Sequence, residues 1–240
     1  AAMAVWQRRG GWAFSAALGV NLAASLVVWY FRRNVDFDLW WLSLVQANVI
    51  ASAAVAIVWL AARKQLYRLR ELSLGDSPLL ALQTALPVAG NLFVLIVPVV
   101  PLVLMPLSPP YWMAGLSAPA GWLALLLAAA AAAWYLHQTL PGHLVHVLGG
   151  LLLGAGVLCA CHAVHYYDTW LAYQTLVTAW AAAGMILLGI GMAGRNRQTS
   201  ATGPWTFSPT LTRQWLALIA TLVVALAVIH GPADRAGAWC

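Results

Sequence analysis

Long apolar runs alternate with short polar connectors along this chain, and the runs have the length of membrane spans. A helix rises about 1.5 Å per residue and needs about 20 apolar residues to cross the hydrocarbon core of a bilayer. Seven runs meet that requirement, at about 11–31, 39–62, 78–107, 119–136, 141–162, 169–192 and 211–229. The expected fold is therefore an all-α, polytopic integral membrane protein of about seven transmembrane helices, organised as one membrane domain over 1–240.

The connectors carry the punctuation that such helices need. Asp36 and Asp38 separate the first two runs, and Trp40 and Trp41 open the second as an interfacial aromatic belt would. Ser77-Pro78, Ser117-Ala118-Pro119 and Ser208-Pro209 each place a hydroxyl ahead of a proline. That order predicts a capped helix start, because proline at the first helical position gives up no needed N–H. Leu66, Leu69, Leu72 and Leu74, within the basic stretch after the second run, fit a short helix lying on the membrane surface.

Composition changes the picture from long helices to helices in lipid. The chain is 63% hydrophobic and 8% charged, whereas soluble domains carry about 25% charged residues. Between Asp76 and Asp168 there is no Asp, Glu, Lys or Arg. The expected surroundings are thus a lipid bilayer. The net charge of +6 sits in short loops, which is a topology signal and not a nucleic-acid footprint. With seven spans, Arg8, Arg9, Arg63, Lys64, Arg68, Arg70, Arg195, Arg197 and Arg213 fall on one side, and Arg32, Arg33 and Arg235 on the other. Basic residues collect in cytoplasmic loops. The expected placement is a bacterial inner membrane, N-terminus cytoplasmic and C-terminus outside.

Polar residues inside the runs are few, and each suggests a task. Asn21 and Ser25 lie one turn apart in the first span, and Gln46 and Asn48 lie in the second. Side chains such as those of Asn21 and Ser25 hold neighbouring helices together. The third span holds Pro87, Pro98, Pro101 and Pro106. Interior prolines free backbone carbonyls, and broken helices at depth can build substrate sites. A polar cavity lined by Gln46, Gln83, Thr84 and Asn91 would make that span the centre of a transporter or channel. The fifth span carries Gly150-Leu-Leu-Leu-Gly154 flanked by Gly149 and Gly156. Such a GxxxG surface suits close helix contact, including contact with other membrane subunits through Gly150 and Gly154.

Four of the six histidines fall between Pro141 and Tyr173. His162 and His165 are one helical turn apart, with Asp168 near in sequence and His230 at the corresponding end of the last span. Neutral imidazoles and a carboxylate are transition-metal ligands, so these four form the candidate metal set, and a transition metal is the cofactor class they suggest. The competing reading is interfacial packing, with Asp168 capping the sixth helix. His143 and His146 repeat the three-residue spacing at the other end of the fifth span.

Other chemistries lose support. Lys64, the sole lysine, lies in a loop, against a retinal Schiff base, and no HExxH, GxSxG or P-loop motif is present. The leading expectation is a non-catalytic anchor or scaffold domain of a larger protein or complex, the chain being a segment of something longer. Transport around the third span and a metal or redox enzyme at the histidine set are the alternatives.

Overall fold

The computed structural model describes residues 10–69, 78–104, 112–166, 169–197 and 209–230. These residues are helical apart from short turns, with no strand among them. The helices are α1 (Gly10–Arg32), α2 (Phe37–Leu69), α3 (Pro78–Leu104), the single turn α4 (Met113–Leu116), α5 (Pro119–Thr139), α6 (Leu144–Tyr166), α7 (Thr169–Arg197) and α8 (Pro209–His230), with a 3-10 turn at Pro141–His143 before α6. Seven of the described helices are long and apolar enough to cross a membrane. The chain is all-α and polytopic.

Two boundaries differ from the hydrophobic pattern. α2 continues as unbroken helix through Arg63 and Lys64 to Leu69, so 66–69 prolong α2 and do not start a separate helix; Leu72 and Leu74 lie outside the described residues. α3 runs through Pro87, Pro98 and Pro101 without interruption. A proline removes only its own N–H, and the rest of the ladder can persist around it. Pro106 lies outside the described residues.

The chain divides into two compact units, one of residues 1–95 and 118–139, the other of 96–117 and 140–240. In the first unit, α1 runs antiparallel to α2, α3 starts antiparallel to α2, and α5 runs parallel to it. Val49 packs with Ala124 and Ala128. One to two turns further on, Ala53 and Ala56 meet Ala131, flanked by Ile57 and Leu127. Alanine against alanine lets two helix backbones approach closely, which is how helices associate where lipid removes the hydrophobic drive. Gly90 of α3 lies so close to α2 that a Cβ there would sit 2.9 Å from Val49 Cγ2. Trp29 and Trp40 meet edge to face where α1 passes into α2, and Trp41 reaches Phe93 of α3. α1 is the outlier: 6% of its span is buried, and Leu18, Leu22, Leu26 and Trp29 are exposed. In a bilayer such a face meets lipid tails.

The second unit is organised by α6, α7 and α8 in an antiparallel order. Three aromatic side chains pin them at three levels. Tyr173 Oη donates to the Leu226 carbonyl at 2.7 Å, Trp180 Nε1 to the Leu153 carbonyl at 3.1 Å, and Trp215 Nε1 to His146 Nδ1 at 2.7 Å. Each ring supplies apolar area and one polar tip, and in lipid that tip must find a partner. Tyr173→Phe is expected to cost about 1 kcal/mol in thermal unfolding in detergent. Thr175→Val on the same helix is the control, since Thr175 is half-buried and its hydroxyl donates to the Leu171 carbonyl of its own helix; it should change the midpoint little.

Candidate functional site: the polar path through α1, α2 and α3

Among the described residues, the largest hydrogen-bonded set of polar side chains within the apolar helices lies in the first unit. It begins on α1, where Ser25 Oγ donates to the Asn21 carbonyl at 2.9 Å. Asn48 Nδ2 of α2 donates to Ser25 Oγ at 2.9 Å and to its own Leu44 carbonyl at 2.8 Å. One turn along α2, Ser52 Oγ donates to Asn21 Oδ1 at 3.0 Å. From α3, Gln83 Nε2 donates to the Ser52 backbone carbonyl at 3.1 Å. Residues four apart on α1 and four apart on α2 share a helix face, so two matched rungs form between those helices, and Gln83 adds a third helix.

All four residues suggested as a polar cavity are buried: Gln46 is 5% exposed, Gln83 0%, Thr84 4% and Asn91 8%. Two of them have bonds within the protein, Gln83 to Ser52 and Thr84 Oγ1 to the Ala81 carbonyl of its own helix at 2.9 Å. Gln46 sits one turn before Val49, on the side of α2 that packs against α5. Gln46 Nε2 and Gln83 Oε1 are buried with no hydrogen-bond partner. Because the Ser52 carbonyl can only accept, the Gln83 amide nitrogen must face it, and the oxygen is the atom left over. Pro87 also lacks the N–H that would serve the Gln83 backbone carbonyl. Gln83 is therefore a buried position with a spare side-chain acceptor.

Of the candidate metal set, only His162 has a described side chain, and it is exposed on α6. Asp168 lies outside the described residues, and the side chains of His165 and His230 do too. Among the described residues, no three His, Cys, Asp or Glu side chains converge as metal ligands would.

The glycines of α6 divide by face. A Cβ on Gly149 would lie 2.6–2.9 Å from three ring atoms of Trp215, and one on Gly156 would lie 2.9 Å from Trp180 Cδ1. Gly149 and Gly156, two turns apart, thus form the internal seat for two indoles. Gly150 points elsewhere, and a Cβ there meets nothing within 4 Å. Sequence reasoning did not find Trp215 as the partner of His146, because 69 residues separate them. One usable signal existed: each lies within about two turns of the start of a span, and alternate spans start on the same side.

These features define a multi-pass integral membrane protein with small-residue helix seams and a neutral polar path at depth. No protein-family model, curated protein or solved structure matches the chain.

Proposed function

We propose that the chain is a non-catalytic membrane domain that anchors or scaffolds a larger protein or complex. The observation that carries this reading is the use made of polar side chains at depth. Asn21, Ser25, Asn48, Ser52 and Gln83 bond to one another across helices, the role of helix glue. Asp38 stands in the first turn of α2 and Lys64 near its far end; between these ends the described spans hold no Asp, Glu or Lys to carry a proton or couple an ion at depth. Gly150 provides a place for a partner helix, since its side of α6 is open at the Cβ position while Gly149 and Gly156 serve the internal seam. Basic residues favour a cytoplasmic N-terminus for this domain.

The test is sedimentation after mild detergent extraction of native membranes. The wild-type chain is expected in a particle larger than one chain, and Gly150→Leu should shift it to a smaller one without changing the thermal midpoint. A wild-type chain that sediments alone, or a Gly150→Leu chain that keeps the large particle, would count against the reading.

A second reading, transport around α3, is favoured by one observation: the unpartnered Gln83 Oε1 and Gln46 Nε2. Buried polar atoms without partners cost about 1–3 kcal/mol each, and a polar solute passing between helices would give them partners intermittently.

A further inference from the structure

We infer that the contact between Trp215 and His146 is a proton-operated latch joining α8 to α6. The indole N–H can only donate, and it donates to His146 Nδ1 at 2.7 Å. His146 therefore holds a lone pair on Nδ1 and its single proton on Nε2. An imidazolium carries protons on both nitrogens and keeps no acceptor in either ring orientation. Proton binding at His146 and the bond from Trp215 are thus mutually exclusive, whichever way the ring is turned.

The surroundings make the contact matter to the fold. The Trp215 ring lies directly over Gly149, where a Cβ would come within 2.6 Å of it. The indole rests on the α6 backbone with its orientation held by the His146 bond. His143 stacks on His146 from the 3-10 turn, ring centroids 5.4 Å apart and planes 27° apart. A charged His146 would face that second imidazole across the stack. The other described groups on the packed elements offer no counter-charge. On α8, Arg213 is exposed and cationic; on α7, Tyr173 lies at the opposite end; on α6, Cys159, Cys161 and His162 also lie at the opposite end; α4 has no titratable side chain. Among the described residues of this unit there is no Asp or Glu. Protonation therefore replaces a helix–helix hydrogen bond with two opposed donors, and the first turns of α8 lose their polar hold on α6.

The experiment uses the full chain in lipid nanodiscs, labelled with 5-fluorotryptophan, with the Trp215 resonance assigned by its loss in Trp215→Phe. Between about pH 8 and about pH 5, where histidine ordinarily titrates, the Trp215 fluorine resonance is expected to shift along a single titration curve. His146→Gln offers a carboxamide oxygen that accepts the indole proton at every pH, and in that variant the resonance should stay fixed. A wild-type resonance that does not move over this range, or one that still titrates in His146→Gln, would overturn the latch. Should that variant not fold, nitrogen-15 histidine labelling of the wild type decides the matter. The His146 ring and the Trp215 fluorine must titrate with one shared midpoint, and separate midpoints would overturn the proposal.

Discussion

Gly149→Ala is expected to lower the unfolding midpoint of the detergent-solubilised protein, while Gly150→Ala, one residue away, leaves it unchanged or raises it. The two substitutions add the same methyl group to the same helix. In a helix interior, alanine is favoured over glycine by about 1 kcal/mol, so both variants share that gain. They differ in what the methyl meets. At 149 it would lie 2.6, 2.7 and 2.9 Å from Trp215 Cδ2, Cε2 and Cε3, all well inside van der Waals contact. Those atoms belong to the fused ring, not to the end of a flexible chain, and the ring is tied to His146. The indole must leave its seat or α8 must move, and overpacking of this kind costs about 1–3 kcal/mol, occasionally more. Breaking the His146 bond adds about 1 kcal/mol. At 150 nothing lies within 4 Å, so the helix gain stands alone. Equal midpoints for the two variants would mean that Trp215 does not occupy this seat.

Replacing Asn21 and Asn48 together by Leu is the other large effect expected, and it should act on α1 specifically. α1 has little buried surface to hold it, and lipid gives no hydrophobic reason for its apolar face to prefer α2. Its attachment leans on the two rungs, Asn48 to Ser25 and Ser52 to Asn21. Hydrogen bonds between membrane helices average about 0.6 kcal/mol and reach about 1.7. The double substitution should therefore cost roughly 1–3 kcal/mol, about half from each rung if the rungs are independent. Gln83→Met provides the contrast within the same path. It removes one bond to a carbonyl that α2 already uses, and it also removes a buried oxygen that has no partner. Those changes oppose each other, so the midpoint should stay near wild type. Chemical unfolding monitored through a fluorophore on α1 would check both variants. Loss of stability without earlier release of α1 would contradict the assignment.

The helices were legible in the sequence because the bilayer imposes a length and a polarity that survive any detail of packing. Asn21 and Ser25 stood out as helix glue for the same reason, since polar side chains in an apolar span have few other uses. Pairings were less legible. Gly150 and Gly154 carry the recognisable motif, yet Gly149 and Gly156 seat the indoles of Trp215 and Trp180. All four lie on one span, and the spacing alone cannot say which side will meet a tryptophan that arrives from 24 or more residues away. The histidines drew notice by residue type. Depth and facing, which decide their chemistry, depend on how α6, α7 and α8 dock, and no local pattern encodes that. His146 owes its role to Trp215 and to the missing Cβ of Gly149 together.

If Gln46, Gln83, Thr84 and Asn91, all buried, face protein and not a water-filled cavity, water must be kept from Gln83, and thiol chemistry reads that out. In a chain whose Cys159, Cys161 and Cys240 are replaced by Ala, Gln83→Cys in membrane vesicles is treated with a membrane-impermeant thiol reagent applied to both faces. Gln138→Cys, at an exposed position on α5, serves as the reactive control. The packed-domain account predicts that Cys at 83 stays unreactive until the protein is denatured. Reaction at a rate close to that of the control would place water at the heart of the polar path. That result would contradict the account and favour transport around α3.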